Sequence, residues 1–248
     1  MFDQAPGLAA LPGVVHGFTD RNGGVSEGRY ATLNLASKWG DDLDAVAQNR
    51  ARLAAAAGFA LPRLRCAKQV HGHDVVEAAT VDPDEPPPEA DALVCRRDDG
   101  LVVGVLTADC VPVLVADEAG TIAAAIHAGW RGVVAEIVER TLAVVTAAGV
   151  APSRLRAAIG PCIEQAAFEV GEEVAQRFAP AFVDRSAARA HVDLVAAVRA
   201  QLQRAGVPAA SIERVGACTH AHPQRYFSFR RDGAGIGQML AFIGFVGR

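Results

Sequence analysis

Several short runs of this chain are apolar at nearly every position, and this continuity constrains the fold more than any other feature. Residues 101–107 and 122–126 are two examples in which hardly a polar residue interrupts the run. A strand with one face in water alternates apolar and polar residues, whereas a strand covered on both faces does not. The pattern therefore predicts strands that lie between two layers, with helices or a second sheet on each side.

Helical periodicity and turn residues complete a mixed α/β pattern with a substantial core. Two predicted helices begin behind an aspartate suited to N-capping, and three stop at a glycine. The predicted helices cover residues 42–57, 133–148, 164–178 and 193–205. The predicted strands cover residues 14–19, 92–95, 101–107, 113–116, 122–126, 155–159, 214–217, 226–229 and 240–245.

Length and composition exclude several classes of protein. The 248 residues suit one domain, taken as residues 1–248, and no apolar run reaches the ~20 residues of a membrane span. The net charge of −4 and the lack of a Lys/Arg cluster argue against nucleic-acid binding. No basic segment followed by an apolar stretch opens the chain, so we expect a soluble, cytoplasmic protein without a membrane partner.

Two further features of composition bear on the site. The five cysteines are odd in number and widely scattered, which favours reduced thiols over a disulfide framework. Residues 82–89 are acidic and proline-rich, so they can form neither a helix interior nor a central strand. We expect this stretch to be an exposed loop within the domain.

Three candidate metal ligands each close an apolar, strand-like run and precede a turn marked by Gly or Pro. They are His71, Cys110 and His127. Two imidazoles and a thiolate suit zinc, and a fourth position left to water would make the site catalytic. The same set would also bind copper tightly. Their spacing is too long for a zinc finger, so the pattern alone is weak evidence.

Cys110 has two interpretations that use the same three residues. It is either a zinc thiolate or a nucleophile activated by His71 or His127. Asp109, immediately before it, is a candidate proton shuttle or a group that orients a ligand, and a turn or capping role is an equal alternative.

Two glycine-containing turns are candidate anion sites. Arg131 stands where a strand gives way to a helix, and free backbone amides at such a start can hold phosphate. Arg21 precedes Gly23 and Gly24 and could clamp a carboxylate or phosphate. Each segment could equally be an ordinary loop. Asn34, between two leucines, needs a ligand hydroxyl or a backbone group as partner if it is buried.

The motifs taken together resemble the laccase-domain, or YfiH-like, family in order and spacing, from about residue 14 to the C-terminus. This family is also described as polyphenol oxidase or purine nucleoside phosphorylase. The motifs are RNGGVS at residues 21–26, KQVHG at 68–72, ADALV at 90–94, TADCVPV at 107–113, HAGWRG at 127–132, IGPCI at 159–163 and FSFRRDG at 227–233.

The resemblance implies a fold, a metal and an activity. The fold would be a four-layer α/β/β/α sandwich with mixed sheets, shared with the CNF-type deamidase toxins, in which His71, Cys110 and His127 converge on zinc. The activity would be phosphorolysis of adenosine, inosine, guanosine or methylthioadenosine, with deamination of adenosine. Arg21 or Arg131 would hold phosphate with help from Lys68 and Gln69, and Asp109 would move protons. The protein would be a monomer or a small homo-oligomer.

Some positions depart from the family pattern, and rival functions stay open. The departures are Cys95, the segment 218–222 with its His-x-His, and Phe229 in place of the usual tyrosine. Copper oxidation of phenols would need many more histidines than the seven present. A metal-free cysteine amidohydrolase that edits peptidoglycan precursors is the serious alternative. A purely partner-binding domain would not need the His/Cys set.

Overall fold

In this computed structural model, which describes residues 1–246, the strands form two large sheets and one small one. The orders are β1-β2-β14-β6-β3, β13-β9-β7-β8-β5-β4 and β10-β12-β11. The strands are β1 (Phe2–Asp3), β2 (Val14–Thr19), β3 (Leu64–Cys66), β4 (Val75–Glu77), β5 (Ala92–Arg96), β6 (Val102–Thr107), β7 (Val111–Asp117), β8 (Ile122–Ala128), β9 (Leu155–Ile159), β10 (Glu169–Val170), β11 (Val183–Asp184), β12 (Ala190–Val192), β13 (Ile212–Arg214) and β14 (Met239–Phe245). The helices are α1 (Pro6–Ala9), α2 (Leu43–Ala57), α3 (Trp130–Val134), α4 (Ile137–Ala147), α5 (Glu172–Ala175), α6 (Leu194–Arg204) and α7 (Phe229–Asp232).

The two large sheets pack face to face, and β14 shows why its sequence is apolar throughout. Successive side chains of a strand point to opposite faces. Ala241 and Ile243 join the core between the sheets, whereas Leu240 and Phe242 join the core that includes Leu53 of α2. Both faces of the strand are therefore buried, as its continuous apolar run predicts.

Helices close the sandwich on both sides. The outer face of the six-stranded sheet, including Val113 and Ile126, packs with Val138 of α4 and Val198 of α6. The order of layers is thus α2, the five-stranded sheet, the six-stranded sheet, and α4 with α6. The expected four-layer α/β/β/α architecture with mixed sheets is confirmed.

Most of the predicted elements are present. Helix α2 begins behind Asp42, whose side chain accepts from the amide of Asp44 at 2.8 Å, and ends at Gly58 with φ 78°. Residues 82–87 are exposed, as expected for the acidic proline-rich loop. Within residues 1–246, no helix is both long and apolar enough to cross a membrane.

Two of the predicted helices are wrong in part. Residues 133–148 divide into α3 and α4, because Glu136 takes a left-handed conformation with φ 63° that ends the first helix. Residues 164–178 form β10 and then the four-residue helix α5, with Gly171 between them. Strand β10 pairs with β12, and this long-range pairing replaces the first half of the predicted helix.

Two of the predicted strands are also misplaced. The strand expected at residues 214–217 is β13, which ends at Arg214 before a left-handed turn at Gly216 with φ 75°. The strand expected at residues 226–229 is absent, because Ser228 caps α7 by accepting from the amide of Arg231. Tyr226 and Phe227 are fully buried without belonging to a sheet. The apolar residues of this segment therefore reflect burial and not strand pairing.

Candidate metal centre and active site

The three candidate ligands, His71, Cys110 and His127, come together beside the paired ends of β7 and β8, the two central strands of the six-stranded sheet. Their possible ligand atoms all lie within 4.8 Å of one another, and the two imidazole rings meet edge to face with centroids 4.9 Å apart. His127 is buried, Cys110 is half-buried and His71 is exposed. The site is therefore rooted in the core and open on one side.

Antiparallel pairing of β7 and β8 explains why residues 17 positions apart meet. Val111, the first residue of β7, pairs with Ala128, the last residue of β8. Cys110 therefore lies just before one strand and His127 near the end of its neighbour. The expectation that each ligand closes a strand is wrong for Cys110, which precedes β7, and for His71, which lies in the loop between β3 and β4.

Asp91 holds the loop that carries His71. This carboxylate is fully buried and accepts from the backbone amides of Val70 at 3.2 Å, His71 at 3.0 Å and Gly72 at 2.7 Å. His71 itself has a φ of 60°, a conformation that is uncommon for a residue with a side chain and needs such support. Asp91 thus fixes the exposed ligand through its backbone.

The same carboxylate also orients His127. Its Oδ1 lies 2.7 Å from Nδ1 of the imidazole. A carboxylate only accepts, so Nδ1 carries a proton and Nε2 is the nitrogen that a metal can take once it is deprotonated. Burial would raise the pKa of Asp91, but the contact with His127 and the loop amides outweigh burial and lower it. The sequence gives Asp91 no role beyond a place in the ADALV motif, directly before a buried strand.

Electrostatics favour an ionised thiol. Burial alone would raise the pKa of Cys110, but the rings of His127 and His71 outweigh it and lower the pKa to about 6. Burial likewise would lower the pKa of His127, yet Cys110 and Asp91 raise it to about 9. A thiolate beside a histidine is the form that binds metals and also the form that attacks electrophiles.

Gly129 keeps the space between the ligands clear. A Cβ at this position would lie 3.1 Å from Cδ2 of His71 and 3.2 Å from Sγ of Cys110. Only glycine therefore avoids crowding two of the three candidate ligands. The donor set, the orientation of His127 and this open space fit a metal ion.

A cavity of about 1210 Å³ opens beside the three ligands, all of which line it. Ligand sites of drug-sized molecules occupy about 300–1,000 Å³. Its walls also include four of the other residues that the sequence analysis selected, namely Lys68, Gln69, Asp109 and Arg131. Arg21 and Asn34 do not line it.

Asp109 anchors the C-terminal part of the chain to the site. With φ 99°, this residue accepts from Oγ1 of Thr219 at 2.5 Å, Oγ of Ser228 at 3.1 Å and the amide of Arg230 at 2.6 Å. Three donors occupy a carboxylate that is only 8% exposed. This geometry favours the turn-forming alternative for Asp109 over a proton shuttle.

The candidate anion-binding residues separate into two groups. Arg131 is exposed on the cavity wall at the start of α3, its guanidinium 4.5 Å from the centroid of the Trp130 ring. Lys68 also lines the wall, where its ammonium lies 2.8 Å from Glu89. Both side chains can reach an anion. Gln69 cannot do so freely, because its amide donates to and accepts from the backbone of Leu106.

Arg21 and Asn34 bind the protein itself. Arg21 donates to the carbonyls of Ala31 at 2.8 Å and Pro223 at 2.9 Å, and it stacks on the ring of Phe227. Asn34 is buried and both accepts from and donates to the backbone of Ala36. Loop carbonyls and amides take up their polar groups, which favours the loop alternative for Arg21 and the backbone partner for Asn34.

Comparisons with known proteins agree with the motifs. A family model described as multi-copper polyphenol oxidoreductase laccase matches residues 15–246. A purine nucleoside phosphorylase of Deinococcus radiodurans is 44% identical over 248 residues, covering 97% of this chain and 91% of that protein. Adenosine deaminase RL5 from an unknown prokaryotic organism is 39% identical and covers 92% of this chain and 93% of its own length.

A solved structure extends the agreement to three dimensions. The crystal structure of YlmD from Geobacillus stearothermophilus matches with a TM-score of 0.90 at 32% identity and covers 99% of both chains. The family match, the identities and this structural similarity lead to one conclusion. The chain belongs to the YfiH-like laccase-domain family.

Proposed function

We propose that this protein is a zinc-dependent purine nucleoside phosphorylase that acts on adenosine, inosine, guanosine and methylthioadenosine and also deaminates adenosine. The observation that carries the proposal is that His71, Cys110 and His127 open together into one cavity of about 1210 Å³. That volume accommodates a nucleoside with phosphate beside it. The names of the two relatives, a purine nucleoside phosphorylase and an adenosine deaminase, support purine nucleosides as the class of substrate.

His71, Cys110 and His127 would hold the metal. A zinc ion bound there supplies a Lewis acid and activates water, which deamination requires. Asp91 keeps His127 in the tautomer that presents Nε2, and it fixes the backbone of His71. The same ligands would also bind copper, the metal in the family's description.

Arg131 and Lys68 would bind phosphate in the cavity. An oxygen of phosphate forms a bond to C1′ of the ribose while the bond from C1′ to the purine nitrogen breaks, with the electron pair leaving on the base. The phosphate gives up its proton as the new bond forms and the base takes up a proton as it departs, so the products are ribose 1-phosphate and the free purine. The guanidinium of Arg131 can make a bidentate contact with phosphate, which both holds and orients the nucleophile.

The test is zinc content together with turnover of inosine. We expect one zinc per chain and release of hypoxanthine that depends on phosphate, with ammonia released from adenosine. Cys110→Ala should lose both zinc and turnover. The matched control is Cys66→Ala, which removes another thiol from the cavity wall and should keep both. Release of hypoxanthine without phosphate, or undiminished in Cys110→Ala, would refute the phosphorylase.

The second candidate is a cysteine amidohydrolase acting on a peptidoglycan precursor. The observation that favours it is the lowered pKa of Cys110 beside His127, which is also the arrangement of a cysteine nucleophile. Conversion of UDP-linked muramoyl-serine by the zinc-free protein, without turnover of any nucleoside, would select this alternative. A multicopper oxidase is disfavoured, because across residues 1–246 the only group of side chains that could hold a metal is His71, Cys110 and His127.

A further inference from the structure

Phe229 presents an aromatic ring to solvent inside the cavity. It is 49% exposed, one of few large apolar side chains with that exposure among the described residues. Its ring packs beside Trp39, with centroids 5.8 Å apart and planes tilted by 34°. Trp39 also lines the cavity. Trp39 is half-buried, so Phe229 contributes most of the exposed apolar surface of this pair inside the cavity. Aromatic and apolar side chains line most small-molecule sites.

The other aromatic rings that line the cavity each have a cation over one face, and for Trp39 this is the ammonium of Lys38, 5.6 Å from the ring centroid. The guanidinium of Arg131 lies 4.5 Å from the centroid of Trp130. The guanidinium of Arg230 lies 5.2 Å from the centroid of Phe168 and donates to nearby backbone carbonyls. Among the lining residues that the structure describes, Phe229 is therefore the ring best placed to accept a flat ligand.

The position of Phe229 is fixed relative to Cys110. Ser228 and Arg230, its two neighbours in the chain, both donate to Oδ2 of Asp109, at 3.1 Å and 2.6 Å. Asp109 is the residue immediately before Cys110. A single buried carboxylate thus ties the exposed ring to the candidate metal ligand on the same cavity wall.

We propose that Phe229, supported by Trp39, is the platform on which the purine base of the substrate stacks. The proposal rests on the proposed nucleoside substrate and assigns its base to this wall. Stacking of a base on an aromatic side chain uses the whole π-face and does not depend on a particular hydrogen bond. Phenylalanine and tyrosine provide the same aromatic face, so exchanging one for the other should leave the platform intact.

The experiment measures ligand binding by calorimetry on the zinc-loaded protein without phosphate, so that inosine is not consumed. Phe229→Leu should raise the Kd of inosine and of hypoxanthine about tenfold. The Kd of ribose 1-phosphate, which carries no base, should stay unchanged. Phe229→Tyr, which keeps the aromatic face, should bind both purines with the Kd of the wild type. The matched control is Leu43→Ala, which removes exposed apolar surface from the same cavity without removing an aromatic face.

The outcomes separate this inference from the proposed function. Unchanged purine binding in Phe229→Leu, or an equal loss for ribose 1-phosphate, overturns the platform even if the wild-type protein converts inosine. A wild-type protein that binds hypoxanthine through Phe229 but turns over no nucleoside supports the platform and refutes the phosphorylase. If the wild-type protein binds neither inosine nor hypoxanthine, both the stacking platform and the proposed purine substrate are refuted.

Discussion

Replacing Asp91 with asparagine should weaken metal binding without touching a metal ligand. The carboxylate accepts four hydrogen bonds, one from Nδ1 of His127 and three from the backbone amides of Val70, His71 and Gly72. Asparagine keeps the shape, but each carboxylate oxygen accepts two of the four bonds, so the amide nitrogen must face two of these donors. Loss of a partner that orients a ligand typically costs about 10- to 100-fold in metal affinity. We expect a loss in that range for zinc.

The same substitution should destabilise the fold. Asp91 is fully buried, so two charge-assisted hydrogen bonds are lost and the two donors that made them face an N–H group instead. Together these should cost about 3 kcal/mol in the free energy of unfolding. Zinc affinity is measured by competition with a chromophoric chelator, and stability by urea denaturation of the zinc-free protein.

The matched control is Asp98→Asn, which removes an exposed carboxylate and should change neither quantity. A zinc affinity within twofold of wild type in Asp91→Asn would show that the ligands are oriented by packing alone. It would refute the role that the four hydrogen bonds assign to Asp91.

Three further substitutions test other parts of the structure. Gly129→Ala should lower zinc affinity in the chelator assay, because its Cβ would crowd two ligand side chains at 3.1 and 3.2 Å. Arg131→Gln should raise the KM for phosphate about tenfold, whereas Arg140→Gln on the exposed side of α4 should leave it unchanged. Burial lowers the pKa of His16 to about 4. As the pH falls, this imidazole therefore takes up a proton in the unfolded chain before it does so in the folded chain. The stability that neutral His16 gives above pH 6.5 is lost as the pH falls towards 4. The contribution of His16 to the loss between pH 7 and pH 4 should be about 3 kcal/mol, measured by urea denaturation as the difference in pH dependence between wild type and His16→Gln.

Local patterns were sufficient for most of the fold. Continuous apolar runs identified β6, β8 and β14 because each is buried on both faces. Asp42 and Gly58 marked the ends of α2 because capping depends on residues within one turn. The pattern failed at β10, where pairing with β12 overrode the helical periodicity. Such pairing between distant segments leaves no signal in a local window.

The site divides in the same way. His71, Cys110 and His127 were identified from residue type and family motif, because zinc ligands are drawn from few residue types. The role of Arg21 stayed open in the sequence because an arginine beside glycines has the same pattern whether it binds phosphate or the carbonyl of Ala31. Only the packed chain shows which acceptor is nearer.

The sequence by itself determined the layered class of fold and the identity of the candidate ligands, since both depend on composition and order along the chain. The tertiary structure decided that Asp91 supports two ligands and that Asp109 ties Phe229 to Cys110. These contacts join residues 20 to 121 positions apart. Their partners are selected by the pairing of strands and the closure of loops, which depend on the whole packed chain.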